Sequence, residues 1–83
     1  MKTFFAVSSK LVIIGGLMDC KRWADSLIQN HKAKIVKIFV ARPDEKQARI
    51  VFEITKEGMR EVSTGRTIPI TDLKRKLNNG KKT

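Results

Sequence analysis

Cys20 and His31 carry the most obvious chemistry in the chain, a thiol that could attack and an imidazole that could take its proton. Each is the only residue of its type. A single thiol and a single imidazole cannot fill the ligand set of a zinc ion, so the sequence points to no metal and no cofactor. His31 falls beside Lys32 at a predicted helix end, where a packed ring or a favourable partial charge explains it more simply than base catalysis. Cys20 reads as a small apolar residue on a helix face.

The other groups that could react are also poorly arranged. Ser8, Ser9 and Ser63 have no histidine at a motif spacing. "IIGG" lacks the further glycine of a dinucleotide turn and the Lys-Ser/Thr of a phosphate-binding loop. Asp44 and Glu45 sit together in a turn-forming stretch, and the remaining carboxylates are scattered among basic neighbours. No enzymatic activity is expected.

Cations are the chemistry this chain has in excess. Its 83 residues hold 18 Lys and Arg against 8 Asp and Glu, a formal charge of +10. Residues 1–32 carry five basic and two acidic side chains, and residues 33–83 carry thirteen and six. Such a field concentrates polyanions near the surface and speeds their encounter. Lys74, Arg75, Lys76, Lys81 and Lys82 crowd the last stretch, "LKRKLNNGKKT", with no acid among them.

Positioning those charges requires a fold. Apolar residues make up 41% and charged residues 31%, a globular composition. One cysteine excludes an internal disulfide framework, which suits a reducing, cytoplasmic location. The opening "MKTFFAVSSKLVIIGGLMDC" has a basic start and two apolar runs, but Ser8, Ser9 and Lys10 split them and Leu17, Met18 and Asp19 precede the cysteine. It is read as mature structure and not as a leader, and no run approaches a membrane span.

Thr3–Ser8 and Leu11–Leu17 read as paired strands, ended by Gly15 and Gly16. Asp19 is placed to cap a helix whose apolar face carries Cys20, Trp23, Ala24, Leu27, Ile28 and His31. "AKIVKIFVAR" and "QARIVFEIT" form a hairpin across "PDEK". Strict alternation would put Ala48, Ile50, Phe52 and Ile54 on one face, and Lys37, Phe39, Arg49 and Val51 together on the opposite one. A weak strand at 60–63, an extended 68–70 and a short helix from a Thr71 cap through Leu77, stopped at Gly80, complete the order.

The fold class is therefore α+β. A small antiparallel sheet in β-β-α-β-β-β-α order carries one amphipathic helix packed on it and a short C-terminal helix, with residues 1–78 a single compact domain and 79–83 a short basic mobile tail.

"LVIIGG", followed by a helix and then "AKIVKI", is similar to part of the K-homology RNA-binding module, over about a third of the chain. The module's glycines flank two variable residues, often basic, whereas here they are adjacent and Leu17 and Met18 follow. No family is assigned on it. Helix-turn-helix and winged-helix modules need more helices than this pattern supplies.

The expected function is that of a small, non-enzymatic nucleic-acid-binding protein with weak sequence preference, contacting DNA or RNA phosphates through Lys37, Arg49, Arg66, Lys74, Arg75, Lys76, Lys81 and Lys82. Phe39, between Lys37 and Arg49, is the candidate base-stacking ring. Against stacking, Ile68, Ile70, Leu73 and Leu77 need a surface, and the Phe39 face is the obvious one; the C-terminal basic helix would then be the binding element. The alternative is a small regulatory or inhibitory protein, of phage or mobile-element type, docking on an acidic protein partner. An unpaired strand edge or the Phe39 face would serve that role, or a homodimer.

Overall fold

The computed structural model describes the backbone of residues 2–9 and 11–81, and side chains within that span as far as Arg75. The chain is α+β, as its pattern predicts. Its elements are β1 (Thr3–Val7), β2 (Val12–Gly15), α1 (Leu17–Gln29), β3 (Ile35–Ala41), β4 (Gln47–Thr55), β5 (Gly58–Glu61), β6 (Thr67–Pro69) and α2 (Ile70–Lys81). Strands run β2-β1-β3-β4-β5, all antiparallel, and β6 pairs with β4 beyond the end of β5.

The first hairpin closes on Ser8, whose amide donates to the Leu11 carbonyl at 2.9 Å while its Oγ accepts from the Leu11 amide at 3.1 Å. After β2, Gly16 in extended backbone is the N-cap of α1, and the Cys20 amide donates to its carbonyl at 3.0 Å. The helix thus starts ahead of Asp19, which lies in its first turn and not at the cap. Its charge still faces the positive helix end.

At the other end of α1 the cap is Asn30, and His31 takes a left-handed φ of 59°. The His31 amide donates to Ile28 at 3.2 Å and the Lys32 amide to Leu27 at 2.9 Å. This pair of bonds is a Schellman stop, with histidine where glycine is usual. His31 is therefore exposed beyond the helix rather than part of its apolar face.

Two helices cover the two faces of the sheet. α1 packs Cys20 and Ala24 on Ala6, Val36, Ile38 and Ile54. On the other side, Leu73 of α2 packs with Phe5, Val12, Phe39, Ala48 and Ile50. Ile38, Ile54, Leu73, Val36 and Cys20 are the largest side chains with essentially no exposure. Each aliphatic one among them contributes about 1.5–3 kcal/mol by leaving water.

β4 belongs to both cores because its alternation breaks. Ile38 pairs with Phe52, but the next residue, Phe39, pairs with Ile50, which leaves Val51 as the extra residue of a bulge. Phe52 and Ile54 consequently face α1, while Ala48 and Ile50 face α2. Uniform alternation along β4, expected from the sequence, does not hold.

The same point disturbs the outer edge of β4. The Val62 amide donates to the Val51 carbonyl at 2.8 Å and the Ile50 amide to the Arg66 carbonyl at 3.0 Å, so residues 63–65 loop out between β5 and β6. β5 begins and ends earlier than the weak strand expected at 60–63.

α2 also starts earlier than expected, at Ile70 and not after a Thr71 cap. Pro69 supplies no amide, and the Ile70 amide is satisfied by the Lys46 carbonyl at 2.9 Å. The helix runs through Gly80 to Lys81, past the stop expected at Gly80. Lys82 lies outside the described residues.

Candidate functional site

The β3–β4 hairpin gathers five cations of the described residues at one end of the sheet. Its turn, residues 42–46, is closed from within: the Glu45 amide donates to the Arg42 carbonyl at 3.0 Å, and Glu45 Oε1 accepts from the Arg42 amide at 2.8 Å. The carboxylate is thereby held on the turn's own backbone. Pro43 and Asp44, both exposed, form the tip.

A cleft opens on each face beside this turn. On the α1 face, Lys2, Arg42, Lys46 and Arg49 line a polar cleft of about 550 Å³, with Val40 and Thr67. On the α2 face, Arg42, Lys46 and Lys74 border a cleft of about 720 Å³ whose floor includes Phe5, Ile14, Ala41 and Ile70. Arg42 and Lys46 line both, so the two clefts share one cationic ridge. Glu45 is the carboxylate lining them among the described residues. Thr67 Oγ1 donates to Gln47 Oε1 at 2.6 Å, which ties β6 to β4 at the rim.

Of the residues singled out in the sequence, Arg49 and Lys74 meet at this end, on opposite faces. Lys37 does not join them. Val40 is the cross-strand neighbour of Arg49 and Glu53 that of Lys37, and the bulge at Val51 puts the two cations on opposite sides of the sheet. Arg66 accepts a backbone bond at the outer edge of β4, one residue from the rim. Arg75 is exposed on α2. The side chains of Lys76 and Lys81, and all of Lys82, lie outside the description.

Phe39 is 9% exposed and packed with Phe5, Val12, Ile50 and Leu73. A ring so covered presents no open face to a base, which corrects its candidacy for stacking. The cover is the C-terminal apolar set, Ile68, Ile70 and Leu73, that the sequence required to be buried.

Lys2, Arg42 and Lys46 were not singled out in the sequence. Lys2 is isolated at one terminus, while Arg42 and Lys46 flank the acidic pair Asp44–Glu45, which masks them in a linear count. The one available signal was that a hairpin turn opening with Arg42 and closing with Lys46 brings both to one end of a sheet.

Elsewhere, burial pushes the Cys20 thiol above its usual range, with Asp19 adding to the rise and backbone hydrogen bonds from Ala6 and Gly15 opposing it. A thiol held in its neutral form is a poor nucleophile. Among the described residues no three His, Cys, Asp or Glu side chains gather where they could hold a metal ion, and no helix is long and apolar enough to cross a membrane. Protein-family models, characterised proteins and solved structures give no match to this chain.

Proposed function

We propose that this is a non-enzymatic nucleic-acid-binding protein that grips phosphates with the hairpin end of its sheet. The observation that carries this reading is the shared ridge of Arg42 and Lys46, which joins Lys2 and Arg49 on one face to Lys74 on the other. Phosphate contact needs several cations within reach of one backbone, and five stand around this turn with Glu45 engaged by a main-chain amide. With Phe39 covered, base stacking is not part of the proposal, and weak sequence preference follows because phosphate contacts carry no base information.

The test is titration of labelled duplex DNA, single-stranded DNA and RNA at two salt concentrations. About five phosphate contacts give a log-log salt slope near −4 to −5 on duplex DNA. Absence of binding to all three at about 50 mM salt removes the proposal.

A further inference from the structure

At the opposite end of the sheet from the hairpin lies a third cleft, of about 630 Å³, on the α2 face. Its apolar wall is Val7, Ile35, Phe39 and Ile68. Lys32, Lys34 and Lys37 stand around it with His31, and no carboxylate lines it among the described residues. The nearest acid along the sheet is Glu53, the cross-strand neighbour of Lys37, and its Oε1 is bound to Arg60 at 2.8 Å.

The walls are fixed in place. The Schellman stop at His31 turns the chain, and the Lys32 and Ala33 amides both donate to Leu27, at 2.9 and 3.3 Å. The opposite wall is the turn closed on Ser8, which is 7% exposed. Ile35, by contrast, remains 39% exposed at the start of β3. An apolar surface framed by hydrogen-bonded backbone loses less entropy when a partner covers it than a surface that must first be assembled.

We propose that this cleft docks an acidic peptide segment of a partner protein, one that sets aliphatic side chains on Val7, Ile35 and Ile68 and carboxylates against Lys32, Lys34 and Lys37. Charge complementarity selects the occupant: lysines around a cleft that no carboxylate lines among the described residues call for anions, and branched aliphatic walls call for side chains of the same kind. Phosphate contacts would engage the lysines but leave the aliphatic wall uncovered, whereas an acidic peptide with aliphatic side chains engages both. β1 and β3 are both interior strands, so the peptide binds by its side chains and not by adding a strand. The inference does not depend on the hairpin end, which shares no lining residue with this cleft.

The experiment is selection from a displayed random dodecapeptide library on the wild-type protein, followed by affinity measurement on the enriched peptides. Enriched sequences should combine Asp or Glu with Leu, Ile or Val. Their affinity should fall about tenfold or more in Lys32→Glu/Lys34→Glu and in Ile35→Thr, and stay unchanged in Arg42→Ala/Lys46→Ala. Circular dichroism and thermal unfolding establish that each variant is folded, and Ile35→Thr keeps a β-branched residue in the strand. The proposal is overturned if no peptide enriches, if peptides bind the Lys32→Glu/Lys34→Glu variant equally well, or if polyglutamate binds as tightly as the selected sequences. It is also overturned if amide shifts on peptide addition centre on residues 42–46 instead of 32–37.

Discussion

Lys37 and Arg49, which regular alternation would set on one face, stand on opposite sides of the sheet. Val51 alone is responsible: it has no partner on β3, so Ile38 meets Phe52 while Phe39 meets Ile50. The two cations also lie at different ends, Arg49 by the hairpin and Lys37 away from it. The bulge also lets β4 supply both cores.

Deleting Val51 should therefore leave both cores intact. With the extra residue gone, Ile50 stands next to Phe52 on opposite faces, as their partners Phe39 and Ile38 already do, so Ala48 and Ile50 stay beneath α2 and Phe52 and Ile54 beneath α1. The variant should unfold cooperatively with a lowered midpoint, because Val51 itself packs on the α1 core and its carbonyl accepts from the Val62 amide. Chemical denaturation followed by circular dichroism checks this; loss of a cooperative transition would contradict the register.

His31→Gly should stabilise the protein by up to about 1 kcal/mol, since histidine pays a steric cost at φ 59° that glycine does not. The part of the gain lost to a more flexible unfolded chain sets the upper bound. Urea unfolding of the two proteins measures it, and a destabilised variant would contradict the Schellman assignment.

Phe39→Ala should cost about 3–5 kcal/mol and Leu73→Ala about 2–5 kcal/mol, because both leave cavities in the core beneath α2. If Phe39→Ala left stability intact and selectively weakened single-strand binding, the ring would be a stacking surface after all.

Arg42→Ala/Lys46→Ala should reduce the salt slope of duplex binding by about two, one for each lost phosphate contact, with similar weakening across sequences. Glu45→Gln is the complementary change: the amide oxygen can still accept from the Arg42 amide while the negative charge disappears, so affinity at low salt should rise. Equal affinity in all three proteins would clear the hairpin of contact with nucleic acid.

Cys20 should resist alkylation in the folded protein and react once it unfolds. Its raised thiol pKa means that the folded state holds the proton more tightly than the unfolded chain does. Stability is then lost as pH rises past the ordinary thiol range, about 8.5, toward the folded value. Unfolding free energies at a series of alkaline pH values should show this decline, and it should flatten in Cys20→Ala.

The pattern of residues was enough for the fold class. Apolar spacing of three and four marked α1, β-branched runs marked β3 and β4, and the apolar residues after Gly65 needed a surface, for which the Phe39 face was the obvious one. These are local properties, set by backbone sterics and by the exclusion of apolar side chains from water. The net charge, likewise, can be counted along the chain.

Tertiary structure alone decided which cations share a surface. Lys2, Arg42, Arg49 and Lys74 are far apart in sequence, and whether they converge depends on strand order and on the register between β3 and β4. Register is a relation between two strands, so one residue looped out of β4 redirects every side chain on one side of it without leaving a mark in either strand's composition. The same bulge put Lys37 and Arg49 on opposite faces of what reads as one basic surface.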